Sequence, residues 1–293
     1  MKKIFLLLAL YILTFSTFSQ SRTDNTLLWR ISGNGLKKPS YLFGTYHFLT
    51  NGFVDTLKAV KNAYRSSDAV VGELVIDSTL QKPMMEAAIL KGTTLRKVLS
   101  DTLYASTSKW FKDEAGIDLS KLDQLNPVSI MSFALAITQQ KYFPNKTGET
   151  QLDTYFQNEA KKDGKKVLGL ETIQMQIKVM FDQFSVSRQV SLLSELFKNA
   201  NNLKGMITQM NNAYISQNLY ELQQLMYSSS YNPGEMKVML EDRNNYWMQQ
   251  LPKLMNDQAL FVAVGALHLT GKIGLVNLLK QKGYSVEPVN IKN

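Results

Sequence analysis

Cysteine is absent from the 293-residue chain, and histidine occurs only twice. The first absence excludes disulfides, thiolate metal sites, a cysteine nucleophile and a cysteine-linked lipid anchor. The second confines any imidazole chemistry to His47 and His268. Local signatures of several enzyme classes are missing too: there is no G-x-S-x-G nucleophile elbow, no P-loop, no G-x-G-x-x-G and no H-E-x-x-H. Acidic residues are the minority, 24 against 33 lysines and arginines, for a formal charge of +9. The basic residues are nevertheless scattered. The densest run, "KKDGKK" at 161–166, reads as a helix end, a turn and a strand start, where the helix dipole and solvation account for the lysines. A nucleic-acid partner is therefore not expected.

Long apolar runs are confined to the N-terminus. "MKKIFLLLALYILTFSTFSQS" pairs two lysines with a short apolar stretch and then small polar residues, the pattern of a signal peptide over residues 1–20. No later segment approaches the roughly 18 apolar residues that a membrane span requires. The expectation is an exported protein, periplasmic or extracellular, with no transmembrane span after cleavage. The remaining chain, 21–293, is long enough to bury a full core without disulfides.

The runs "LLWRIS" (27–32) and "PSYLFGTY" (39–46) are β-rich and flank Asn34-Gly35, a strong hairpin signal. A helical pattern over 54–68 leads to the apolar run "AVVGELVI" (69–76), completing a strand–helix–strand unit. Residues 80–125 read as mostly helical and polar. Asn126 and Pro127 then form an N-cap and first-turn pair for a helix that is apolar nearly all round and expected to be buried. The helix in "QLDTYFQNEAKKDG" hands over at Gly164 to the strand "KKVLGLE". Residues 172–257, rich in Gln, Asn, Met and Leu, read as a helical insertion or cap, with the methionines as core filler. The chain closes with strand "ALFVAVGAL", helix "TGKIGLVNLLKQKG" and strand "YSVEPVNI". The expected fold is one α/β domain: a central mixed β-sheet built from N-terminal and C-terminal strand–helix–strand units, with the helical region inserted.

Four times an apolar run meets a glycine and then, within three residues, a side chain able to bind metal or move protons. These pairs are Gly44 with His47, Gly72 with Glu73, Gly169 with Glu171, and Gly265 with His268. Ligands gather at the carboxyl ends of strands in open α/β sheets, and glycine there permits close approach. The four ends are expected to converge. Taken singly, each residue has a plainer reading. A lone strand-end histidine is commonly a hydrogen-bonded structural residue, and Glu171 fits the first turn of a helix. Glu73 is hardest to explain that way, because a carboxylate in an apolar run needs a partner.

In order and spacing, the hairpin ending "LFGTYH", the "GE" after a strand, "LDTYFQNEAKKDGKKVLGLET", "EDRNNYW" and "FVAVGALHLTGKIGLVNLLKQKGYSV" resemble the TraB/GumN family. That family includes Tiki-type peptidases that trim Wnt proteins, and it is similar in fold to erythromycin esterases and to a haem-binding lipoprotein group. The resemblance covers 27–291. It implies an α/β fold in which the two G-x-x-H histidines, here His47 and His268, form a hydrolytic centre with a glutamate, here Glu73. Glu171 matches the Gly-Leu-Glu-Thr position, and Arg243 and Asn244 match an Arg-Asn pair on a late helix. Thr270-Gly271 stands where many relatives have Pro-Gly.

The function expected from the resemblance is an exported hydrolase, a divalent-metal-dependent peptidase with His47, His268 and Glu73 as ligands. Such an ion lowers the pKa of bound water, and nitrogen and oxygen ligands suit Zn, Mn, Co or Fe. Glu171 would act as general base or as a further ligand, and Arg243 would stabilise an oxyanion or hold a substrate carboxylate, unless it only pairs with a nearby acid. The substrate would be a peptide or small molecule. Two alternatives stay open: a metal-free esterase using histidine and glutamate, and a haem or ligand-binding protein with one histidine and Tyr46. A scaffold that binds a partner protein is a third, since fold alone does not settle function.

Overall fold

The structure, a computed structural model, describes residues 25–227 and 230–291. The expected signal peptide lies outside the described residues. Strands β1 (Leu28–Ser32) and β2 (Ser40–Thr45) form the expected hairpin, paired antiparallel from Leu28 opposite Phe43 to Ile31 opposite Ser40. Its connection runs through Gly33, Asn34 and Gly35 at φ of 75°, 47° and 83°. Glycine and asparagine tolerate that left-handed region best.

Strands β3 (Ala69–Gly72), β4 (Lys166–Gly169), β5 (Leu260–Gly265) and β6 (Ser285–Val289) complete a six-stranded sheet in the order β4-β3-β5-β2-β1-β6. The first four in that order run parallel, and β1 is antiparallel to both of its neighbours. The sheet is mixed, as expected, and its centre is β5, a segment from near the end of the chain. Four residues of β3 and five of β5 are buried in unbroken runs, the pattern of parallel strands covered on both faces. Phe156, on helix Leu152–Lys162, packs with its ring centroid 4.7 Å from that of Phe261 on β5. A second apolar cluster, including Leu95, Phe111, Ile130 and Leu193, lies among the helices Asp101–Ala115, Pro127–Tyr142 and Val186–Lys198.

Three local expectations change. The strand proposed over 69–76 stops at Gly72, because the Gln157 side chain takes Leu74 O at 2.8 Å and Ile76 N at 2.8 Å. Those are bonds a neighbouring strand would otherwise make. The helix proposed over 54–68 is two pieces, Asn51–Val54 and Lys58–Ser66. Helix Pro127–Tyr142 is capped as expected, with Asn126 Oδ1 accepting from Ser129 N, but it buries one face and leaves Phe133 45% exposed. Its apolar composition exceeds the area its neighbours cover.

The helical region 172–257 sends Tyr214 and Trp247, both fully buried, into the same core as the sheet. Tyr214 Oη donates to Gly44 O at 2.7 Å, pinning the end of β2. Among the described residues no helix is long and apolar enough to cross a membrane.

Candidate functional site

The register of the sheet brings the four strand-end glycines within two residues of one level. Gly72 is opposite Gly169 on one side and Ala263 on the other, and Gly265 is opposite Thr45. Each following side chain therefore starts from the same edge. The strand-end glycines are closely packed. A Cβ on Gly44 would lie 2.9 Å from Ala266 Cα, so the first G-x-x-H segment packs directly on the second. A Cβ on Gly265 would lie 3.2 Å from Glu73 Oε1, the atom to which Gly265 N donates at 2.8 Å.

Glu73, Glu171 and His268 meet on the guanidinium of Arg243. Arg243 Nη2 donates to Glu73 Oε2 at 2.6 Å and to Glu171 Oε2 at 3.0 Å, while Nε donates to Glu171 Oε1 at 2.7 Å. Nη1 donates to Met239 O at 3.2 Å and to His268 Nε2 at 3.0 Å. A guanidinium has five N–H groups, and these five contacts use them all. Arg243 is the second residue of the α-helical segment Asp242–Trp247, which follows directly on a π-helical turn, Lys237–Glu241, in a helical stretch that starts at Pro233. Such π-helical turns recur at functional sites. Trp247, four residues on and on the same face, lies 5.0 Å from the guanidinium carbon and donates from Nε1 to Glu171 Oε1 at 2.9 Å.

His268 is buried, and both ring nitrogens are engaged. Nδ1 is 2.7 Å from Asn244 Oδ1, whose amide nitrogen is fixed on His268 O and Ile273 O. Because Arg243 has only protons to offer, Nε2 is the acceptor and Nδ1 carries the hydrogen. Burial chiefly, with the Arg243 charge beside it, lowers the His268 pKa to about 3. Burial alone would raise the Glu73 pKa, but opposing charges, Arg243 foremost, and the Gly265 amide hold it well below the usual carboxylate range. The Glu171 carboxyl is fully buried, with Gln176 Nε2 completing its shell at 2.9 Å. Its place is as the anchor of Arg243 rather than at a solvent-facing surface.

His47 stands apart. Its Nδ1 is 2.8 Å from Asp153 Oδ2, and Asp153 Oδ1 accepts from Thr45 Oγ1 at 2.6 Å. The imidazole is 70% exposed. Asp153 raises the His47 pKa, first through its charge and then through the hydrogen bond, a pull that the surrounding water screens. His47, Asp153, Glu73, Thr154, Gln157 and Gln176 line one cleft of about 200 Å³ at the strand ends.

The structure thus brings Glu73, Glu171, Arg243 and His268 into one cluster and sets His47, expected as a co-ligand of His268 and Glu73, on the cleft beside it. Sequence reasoning missed Asp153, Thr45, Gln176 and Trp247, and it gave Asn244 no role. Asp153 sits in the first turn of a helix, where an acid reads as complementing the dipole. Trp247 follows Arg243 at helical spacing, the one local signal available for it.

The expected ligand set is not assembled. His268 Nε2 faces Arg243, a permanent cation occupies the space between Glu73 and Glu171, and no group of three or more His, Cys, Asp or Glu among the described residues is placed to hold an ion. As placed, His47, His268 and Glu73 do not fit a divalent metal. The oxyanion and substrate-carboxylate roles expected for Arg243 lack a free N–H.

The sheet and its strand-end cluster define an α/β protein with a histidine–carboxylate cleft backed by a buried, fully bonded arginine. The chain belongs to the TraB/PrgY/gumN family, whose match runs over residues 27–288. It is similar to a protein of Amphimedon queenslandica named Metalloprotease TIKI homolog, 25% identical over 93% of this chain and 63% of that protein. The chain thus spans less than two thirds of that relative's length. No solved structure matches it.

Proposed function

We propose that this protein is an exported hydrolase of peptidase type, working at the cleft shared by His47 and Glu73. The observation that carries the reading is the His47–Asp153 pair at 2.8 Å, with the imidazole exposed to a cleft that also holds Glu73. Asp153 on Nδ1 fixes the ring and its tautomer and leaves Nε2 to exchange protons. Nε2 takes a proton from water as the water oxygen bonds to the substrate carbonyl carbon. The same proton then passes to the leaving amine or alcohol as its bond to that carbon breaks. Glu73, kept ionised by Arg243, favours the imidazolium that forms between the two steps. Export is supported by the leader-like pattern of residues 1–20.

A metal-dependent version is favoured by the name of the Amphimedon queenslandica relative. In this structure His268 and Glu73 are both engaged with Arg243, so both contacts would have to open before the two residues could hold an ion. One experiment separates the versions. The mature protein is screened on quenched-fluorescence peptides and on esters, with and without chelation and re-addition of Zn, Mn, Co or Fe, beside His47→Gln and Asp153→Asn. Turnover that survives chelation and is lost in His47→Gln supports the metal-free path. Turnover restored only by added ion supports the metal path, and turnover unchanged in His47→Gln sinks the reading altogether.

A further inference from the structure

On the far side of the segments that hold His47 and Asp153 lies a second pocket, of about 330 Å³. Leu49 and Thr50 on one strand-like segment meet Gln151 and Leu152 on the other: Thr50 bridges to Gln151, and Leu152 N donates to Leu49 O at 3.2 Å. The pocket's walls are largely apolar, with Leu49, Phe53, Phe143 and Ile215 among them. Two oxygens on those walls belong to residues whose orientation is fixed.

The first is on Glu149. Its Oε2 accepts from Thr50 Oγ1 at 2.5 Å and from Lys146 N at 3.2 Å, which leaves Oε1 without a hydrogen-bond partner among the described residues. Oε1 lies against Gly52, where a Cβ would collide with it. The second is Oδ1 of Asn211, a residue only 4% exposed, and this atom is buried with no partner among the described residues. Its identity as an acceptor follows from its neighbours. Gln139 Nε2 donates to the carbonyls of Phe48 and Phe143, so Gln139 must turn Oε1 toward Asn211, and Asn211 must answer with Nδ2, at 3.2 Å. Asn211 Oδ1 is closed to solvent and Glu149 Oε1 is not, so Glu149 carries the pocket's accessible acceptor.

We propose that this pocket binds a small amine carrying an apolar body, with its ammonium on Glu149 Oε1 and its body against Leu49, Phe53, Phe143 and Ile215. Lys146 also lines the pocket, but it is exposed and its bond to Glu149 comes from its backbone N, with no Lys146–Glu149 ion pair among the described residues. The carboxylate is thus left to select for positive charge. The same chemistry is offered by a free amine and by a lysine side chain of a peptide. Binding here does not depend on the hydrolase reading.

The test is calorimetric titration of the full chain with benzylamine, benzyl alcohol and benzoate, and with a lysine blocked at both ends. Benzylamine is expected to bind at least about tenfold more tightly than the alcohol or the acid, the equivalent of about 1.4 kcal/mol. Binding of benzylamine alone assigns the pocket to free amines, and binding of the blocked lysine as well extends it to side chains. Glu149→Gln and Gly52→Ala, each checked for an unchanged circular dichroism spectrum, are expected to weaken benzylamine binding about tenfold. The proposal is overturned if the folded wild type does not bind benzylamine, if benzoate binds as tightly, or if Glu149→Gln binds as the wild type does.

Discussion

Arg243 Nη2 reaches Glu73 Oε2 at 2.6 Å across 170 residues of sequence, and both side chains are largely withdrawn from water, 12% and 15% exposed. A buried pair of this kind adds little net stability over an apolar replacement, but removing one partner strands the other. Arg243→Met leaves two carboxylates, Glu73 and Glu171, with no cation. The expected loss is about 3–5 kcal/mol, read from urea unfolding. Glu171→Gln added to Arg243→Met removes one stranded charge and should recover part of that loss. A double variant no more stable than Arg243→Met would show that the Arg243–Glu171 contact is not where the cost arises.

With only two histidines, the protein offers a direct test of their different states. Nitrogen-correlated NMR should show His268 as a neutral ring protonated on Nδ1 that does not titrate between about pH 5 and 8, since its pKa is lowered to about 3. His47 should titrate above the ordinary histidine value because Asp153 raises its pKa. In Asp153→Asn that titration should move down. A His268 signal that titrates near the ordinary value would contradict the Arg243 Nη1 contact to Nε2.

Much of this arrangement was legible in the sequence because apolar runs that end in glycine mark strand ends, and a parallel sheet aligns such ends. The grouping of Glu73, Glu171 and His268 follows from that rule alone. What Arg243 does with them does not, because a count of its donors against acceptors needs the distances. The expected ligand set treated Glu73 and His268 as free atoms, whereas folding had already assigned their partners. Asp153 was hidden for a related reason: an acid in a first helical turn looks self-explanatory until Thr45 and His47 are seen on its two oxygens. The end of β3 at Gly72 depended on Gln157, a side chain 81 residues away from Ile76.

The titrations also fix a sign for stability against pH. His268 is held neutral when folded, with a pKa of about 3, and its unfolded value is about 6.5. Below about pH 6.5 the unfolded chain therefore binds a proton that the folded chain refuses, and stability falls as pH drops toward about 3. Glu73, whose folded pKa is depressed, contributes stability above its unfolded value, near 4.5, and loses it on further acidification. Between about pH 6.5 and 4.5 the histidine acts alone of these two. His47 has the opposite shift, so its contribution is lost as pH rises and leaves this window untouched. Denaturant melts from about pH 6 to 5 should show a decline in the wild type that is flattened in His268→Gln. An equal slope in both proteins would mean that His268 is not held neutral by the fold.

Gly44→Ala tests why glycine precedes the first G-x-x-H histidine. The backbone φ there is not in the left-handed region, so conformational freedom is not the reason. The reason is space: the added Cβ would meet Ala266 Cα at 2.9 Å, Ala266 Cβ at 3.0 Å and a Leu269 methyl at 3.2 Å. All three atoms belong to the 3₁₀ turn that carries His268, and Tyr214 already fixes Gly44 from its carbonyl side. The strand therefore cannot shift away without losing a buried hydrogen bond. Overpacking at such a point costs about 1–3 kcal/mol. It should also push the turn bearing His268 away from Arg243, so the NMR signal of His268 should move while that of His47, beyond the end of β2, changes less. Gly35→Ala is the comparator: its φ of 83° strains the backbone, but an added Cβ meets nothing within 4 Å. It should lower stability without disturbing either histidine, and if Gly44→Ala behaved the same way, the interlocking of the two G-x-x-H segments would not be what places His268.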